Sequence, residues 1–223
     1  MNADDRLMQS DRRRALRASG WLLLAVAVLG ALVWASPAQP AVQPVDNAFK
    51  HLMESLRFGP VVTVAKVLAF FGGVWCTWLI RAAVVAVLLR RRHWLHLGAF
   101  VLAVVTSEAL IGLLKQLVDR PRPLGTLIAT SGASFPSGHA VAAAVTAVGL
   151  VIVLVPAGHS RWVWERHAVL YASLMALSRT YLGAHWLSDV VAGGLLGSAI
   201  AIGWPALLTE ARARFIERRR VPA

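Results

Sequence analysis

Apolar residues in this chain gather in long blocks rather than at the spacing of half-buried strands or surface helices. Six blocks stand out. They run from Trp21 to Ala35, from Val61 into Val84–Leu89, from Trp94 to Leu114, from His139 to just before Pro156, from His167 to Tyr181, and from Val190 to Leu208. Crossing a hydrocarbon core takes roughly 20 apolar residues, and several blocks fall slightly short of that, which leaves their ends soft. Trp21, Trp34, Trp94, Trp186 and Trp204 sit at block edges, where interfacial aromatics belong. The pattern predicts an all-α, polytopic helix bundle with six transmembrane helices.

Arginines set its orientation. Arg12, Arg13, Arg14 and Arg17 precede the first block, and Arg90, Arg91 and Arg92 separate the second from the third. Arg161 and Arg166 separate the fourth from the fifth, while Arg212, Arg214 and Arg218 to Arg220 follow the sixth. These segments alternate along the chain, so all belong on the cytoplasmic side together with both termini. The chain divides into a basic cytoplasmic segment (1–20), a transmembrane domain (21–208) and a basic cytoplasmic tail (209–223). The expected location is the inner cell membrane, with the remaining loops on the periplasmic or extracellular face.

Composition sharpens this picture. Of 223 residues, 57% are hydrophobic and 15% charged, against roughly a quarter charged in soluble domains. The net charge of +12 sits beside the apolar blocks, where it reads as topology signal and anionic-lipid contact rather than as a nucleic-acid surface. The single cysteine, Cys76, lies inside a block and excludes an intrachain disulfide or a cysteine-based metal site.

Secondary features follow from spacing. Val45, Phe49, Leu52, Met53 and Leu56 share one helical face of 45–58, which predicts an amphipathic helix lying on the outer interface. Lys66 and Arg81 flank the centre of the second block and are expected to snorkel towards opposite surfaces. Gly193, Gly194, Gly197 and Ser198 give small-xxx-small spacings suited to close helix packing. Ser36-Pro37-Ala38 after the first block offers a signal-peptide reading, but the long basic lead favours an uncleaved anchor.

Three polar stretches interrupt the outer loops, where polar groups at a membrane edge are expensive unless they function. Lys115 and Arg122 come first, with Arg122 held between Pro121 and Pro123 in an extended strap. Arginine matches phosphate oxygens with a planar fork and lysine adds a point charge. Next, Pro136-Ser137-Gly138-His139 opens a helix, with Ser137 as cap and free backbone N–H groups as an anion site. Last come Ser178-Arg179 and then His185 and Asp189, four apart and therefore on one helical face. A carboxylate on one imidazole nitrogen fixes the tautomer and frees the other nitrogen to attack. Glu108, two helical turns before Lys115, is expected either to shape the pocket and hold Lys115, or to pair with Thr106, Ser107 or a neighbouring helix.

Lys115-x6-Arg122-Pro123, Pro136-Ser137-Gly138-His139 and Ser178-Arg179-x5-His185-x3-Asp189 resemble the three-part signature of the type 2 phosphatidic acid phosphatase (PAP2) superfamily. The resemblance spans about residues 60 to 208 and includes Tyr181–Trp186, which looks like bacterial undecaprenyl-diphosphate and phosphatidylglycerophosphate phosphatases. It implies His185 as nucleophile forming a phosphohistidine, Asp189 orienting it, and His139 protonating the leaving group. Lys115, Arg122, Ser137, Gly138 and Arg179 would hold the phosphate. No cofactor or metal is implied. The implied activity is hydrolysis of a lipid phosphate or diphosphate: undecaprenyl diphosphate, phosphatidic acid or phosphatidylglycerophosphate in type. The same phosphohistidine also serves a lipid phosphotransferase. A lipid transporter fits less well, because it calls for ionisable groups at mid-membrane.

Overall fold

The computed structural model describes residues 12–34 and 39–220. Residues 1–11 of the basic lead, Ser36-Pro37-Ala38 and the last three tail residues lie outside that range. The described residues form helices α1 (Arg12–Trp34), α2 (Gln39–Ser55), α3 (Gly59–Phe71), α4 (Val74–Arg90), α5 (Trp94–Val118), α6 (Gly138–Leu154), α7 (His159–Tyr181) and α8 (Leu187–Arg220).

Helix α6 is the axis of the bundle. Ala140, Val141, Ala144 and Val145 are fully buried, because α5, α7 and α8 pack around it. A helix enclosed on every side is apolar all round, which is why this segment reads as a continuous block. The glycine spacing of α8 serves that contact. A Cβ at Gly193 would stand 2.7 Å from the Ser137 carbonyl oxygen, and one at Gly197 would stand 2.5 Å from that of Val141. Only a missing side chain lets the two backbones approach so closely. On its far side α8 meets α1, where the Ser19 hydroxyl donates to the Ala199 carbonyl at 2.8 Å.

Three helices, α1, α5 and α8, are long and apolar enough to cross a membrane. The second apolar block is not one straight helix: α3 and α4 meet at Gly72-Gly73 and bend by 46°, making a fourth span if the pair crosses together. A Cβ at Gly72 would overlap the Met175 side chain, and one at Gly73 would stand 2.9 Å from the Phe70 carbonyl. The glycine pair marks the bend, a common site for kinks. An outward belt of exposed apolar side chains, including Trp21, Leu24, Leu79, Val105 and Leu170, is far larger than a soluble surface carries and marks a lipid-facing exterior.

Arg81 does not snorkel. It is buried, donating to Glu108 at 2.6 Å and to the Thr146 hydroxyl at 3.0 Å, because a pair across α4, α5 and α6 satisfies it more cheaply than an unpaired reach to the surface. Lys66 is exposed, as expected. The amphipathic segment is helical as α2, but its expected apolar face is split, with Phe49 and Met53 packed inward. Asp46 and Met53 are buried, while Val45, Leu52 and Leu56 stay exposed. Tyr181 fixes the end of α2 by donating to the Leu56 carbonyl at 2.8 Å and accepting from the Phe58 N–H at 3.0 Å.

Candidate active site

The C-termini of α5 and α7 and the N-termini of α6 and α8 converge at one end of the bundle. α5 stops at Asp119, whose left-handed conformation (φ 39°) is tolerated by aspartate. From there Arg120-Pro121-Arg122-Pro123 leads into a loop that returns to the Ser137 N-cap of α6. The loop is tied down along its length: the Ser134 N–H donates to the Arg120 carbonyl at 2.8 Å, and the Ser137 N–H to that of Asp189 at 3.0 Å.

Lys115, Arg122, Gly138, His139, Arg179 and His185 line one cavity of about 390 Å³. Residues separated by up to 70 positions in sequence thus share one wall, and Asp189 stands directly behind His185 with no exposure to solvent. Ser137 is N-cap in position but not in chemistry. Its side chain makes no capping bond, and its buried hydroxyl is without a partner among the described residues. Arg179 is also buried, and its Nε has no partner among the described residues. Buried donors are almost always paired, so the open Nε of an arginine on the cavity wall suits an acceptor-rich anion, whereas Ser137 is not among the residues that line the cavity.

Arg122 is a hub. Its nitrogens donate to the carbonyls of Ser131 at 2.9 Å, Gly132 at 2.9 Å and Ala184 at 2.8 Å. Its Nη1 also approaches Nε2 of His185 at 3.2 Å. A guanidinium cannot accept, so a hydrogen bond at this contact takes the Nε2 lone pair and leaves the ring proton on Nδ1, towards Asp189. Nδ1 and the nearer Asp189 oxygen are 3.6 Å apart, longer than a hydrogen bond. Burial lowers the His185 pKa below its ordinary value, Asp189 raises it in part, and Arg122 and Arg179 lower it further. Burial also lowers that of Arg122, with Asp189 opposing. The His139 ring lies across the cavity in the first turn of α6 and meets the backbone of Ala69 in α3.

Glu108 is absent from the cavity wall. Of its two expected roles the neighbouring-helix pairing is the one observed, with Arg81 as partner. Three residues escaped the sequence reading: Arg120, Ser134 and Asp46. Arg120 donates to Asp189 and to Asp46, each at 2.7 Å, and the Ser134 hydroxyl donates to the other Asp189 oxygen. Asp46 carried a signal: it lies three positions before Phe49 and seven before Met53, a carboxylate in line with buried residues. Arg120 carried none that separates it from its neighbour Arg122. Among the described residues no three His, Cys, Asp or Glu side chains gather as metal ligands would.

Residues 96–213, more than half of the chain, match the PAP2 superfamily. The chain belongs to the PAP2 superfamily. This PAP2 protein is 37% identical over 155 residues to decaprenylphosphoryl-5-phosphoribose phosphatase of Mycobacterium tuberculosis, covering 63% of this chain and 76% of that one. It is 35% identical over 107 residues to phosphatidylglycerophosphatase B of Bacillus subtilis, covering 45% and 52% respectively. Its fold is similar to the crystal structure of a transmembrane PAP2-type phosphatidylglycerolphosphate phosphatase from Bacillus subtilis. That likeness has a TM-score of 0.75 at 26% identity and covers 91% of this chain and 98% of the other. The PAP2 chain is a membrane protein and a phosphate ester hydrolase.

Proposed function

We propose that the protein hydrolyses a lipid monophosphate or diphosphate on the outer face of the cell membrane, through a phosphohistidine on His185. The observation that carries this reading is the His185 ring, buried at 4% exposure, on the wall of a cavity shared with Lys115, Arg122 and Arg179. In the first step Nε2 attacks phosphorus and the P–O bond to the leaving group breaks. His139 gives its proton to the departing oxygen, and Asp189 stabilises the positive charge gathering on the His185 ring. In the second step His139 takes a proton from water, the oxygen attacks phosphorus, and the P–N bond breaks to release phosphate. Lys115, Arg122, Arg179, the Ser137 hydroxyl and the Gly138 N–H hold the equatorial oxygens, whose charge must be matched in the transition state.

The lipid character rests on the apolar exterior around the cavity and on the lipid phosphates named for the relatives, which carry decaprenyl and phosphatidylglycerol groups. Substrates of that kind reach the site sideways from the bilayer. The reading takes six spans: α1, the bent α3–α4 pair, α5, α6, α7 and α8. α2 lies at the interface. Both ends are cytoplasmic, as the arginine clusters require. Purified enzyme in chelator, given a panel of lipid monophosphates and diphosphates, is expected to release inorganic phosphate. Phosphate appearing on a lipid or sugar acceptor instead would replace hydrolysis with phosphotransfer.

A further inference from the structure

Behind the cavity, two buried carboxylates share one buried guanidinium. Arg120 donates through Nη1 to Asp189 and through Nη2 to Asp46, each at 2.7 Å. Ser188 closes the circuit. Its hydroxyl accepts from Arg120 at 2.7 Å and donates to Asp46 at 2.6 Å, and its N–H donates to the other Asp46 oxygen at 2.9 Å. Asp46 and Asp189 are 2% and 0% exposed and Arg120 is 6% exposed. Placing three charges here is costly unless each is fully bonded, and each is. Asp46 stands on α2, the interfacial helix, so the cluster ties that helix to the carboxylate that faces the nucleophile.

We propose that Arg120 and Asp46 are positioning residues. Arg120 clamps Asp189 at the orientation that meets Nδ1 of His185, and Asp46 balances Arg120 so that Asp189 keeps its pull on the ring. The inference rests on the phosphohistidine reading above, in which Asp189 supports His185.

The geometry explains why one acid is insufficient. With Arg120 alone, the Asp189 charge would be neutralised by a guanidinium closer than the imidazole it has to serve. With Asp46 added, the three groups carry one net negative charge, and the ring faces it. The other ionisable groups around His185 are Arg122 on the loop, Lys115 on α5, His139 on α6 and Arg179 on α7. All of them belong to the phosphate cavity, and all but the neutral form of His139 are cationic. The Asp46–Arg120–Asp189 cluster is thus the only source of negative charge on the ring among these groups. Trp186 braces it, donating its backbone N–H to Asp189 at 2.9 Å and its indole N–H to the Pro121 carbonyl at 2.9 Å.

The test is steady-state kinetics and pH profiles of the full-length enzyme in detergent with phosphatidic acid, for Arg120→Gln and Asp46→Asn, with Asp189→Asn as reference. Rates are taken per mole of monodisperse protein after size exclusion. Both variants are expected to lose on the order of 10- to 100-fold in kcat, the scale for removing a partner that orients a functional side chain, at unchanged KM. The acid limb of kcat/KM moves to higher pH in Arg120→Gln, which loses a positive charge, and to lower pH in Asp46→Asn, which loses a negative one. Arg120→Lys restores part of the rate. A kcat within twofold of wild type in both variants overturns the proposal, as does a loss of rate with both limbs unmoved, which marks a contribution to folding alone. Full activity in Asp189→Asn would instead sink the underlying reading of that carboxylate.

Discussion

Nη1 of Arg122 lies 3.2 Å from Nε2 of His185, and the same nitrogen donates to the Ala184 carbonyl at 2.8 Å. A permanent cation facing the nitrogen proposed as nucleophile does two things. It requires the lone pair to sit there, and it disfavours a proton on it. The contact therefore favours the imidazole form that the proposed attack requires.

That contact sets a pH dependence. Burial is the main cause that lowers the His185 pKa, and Arg122 and Arg179 add to it. The nucleophile must be neutral, so a lowered pKa keeps it competent as pH falls past the ordinary value of 6.5. The acid limb of kcat/KM is expected below that value. Arg122→Met removes a lowering charge and is expected to move the limb upward. A limb that stays in place in that variant counts against the contact.

Arg179 offers a buried Nε with no partner. Arg179→Met removes a donor aimed at charge that grows in the transition state and is expected to lower kcat by about 10²- to 10³-fold. Arg179→Lys is expected to recover only part, since an ammonium lacks the planar fork. Measured kcat per folded enzyme checks both, and equal activity of Lys and Arg at this position would exclude bidentate binding.

Arg81 and Glu108 form the ion pair between α4 and α5 at 2.6 Å. The Glu108 side chain keeps 42% of its exposure while that of Arg81 keeps 3%, so removing the carboxylate strands a buried cation. Glu108→Ala is expected to destabilise the fold by about 1–3 kcal/mol, reduced from the fully buried case by exposure on the glutamate side. Arg81→Leu with Glu108→Leu together is expected to cost less than Glu108→Ala. Thermal unfolding in detergent distinguishes the three, and a double variant worse than the single one would show that the pair itself is needed.

Gly197→Ala places a methyl 2.5 Å from the Val141 carbonyl oxygen. Overpacking at such a contact costs about 1–3 kcal/mol. Because α6 carries His139, catalysis is expected to fall together with the melting temperature. Gly194→Ala, which meets nothing within 4 Å, is the matched control and is expected to change neither.

Much of this molecule was legible in its sequence, for physical reasons. Apolar blocks gave the helices because α6 and its neighbours bury or face lipid on all sides, and Gly193 and Gly197 announced close packing because their spacing puts both on one face. Lys115, Arg122, His139, Arg179 and His185 stood out through the joint spacing of three polar stretches, and the fold brings all five to one cavity. What stayed hidden depends on tertiary pairing. Arg120 meets Asp46 across 74 positions, and no local rule links a strap arginine to an interfacial helix. Arg81 looked like a snorkelling side chain because its partner lies 27 residues on. The 46° bend of the second block went unread, although Gly72-Gly73 marks where it falls.

The central claim is a phosphoryl group on His185. Its most direct measurement is rapid acid-free quenching of enzyme mixed with lipid phosphate labelled at phosphorus, followed by peptide mass spectrometry. His139→Ala should trap the label on the peptide containing His185 when an activated aryl phosphate is the donor, because that leaving group needs no acid and the second step still lacks its base. His185→Ala should carry no label and release no phosphate. Label on any other residue, or phosphate release by His185→Ala at the wild-type rate, would contradict the mechanism.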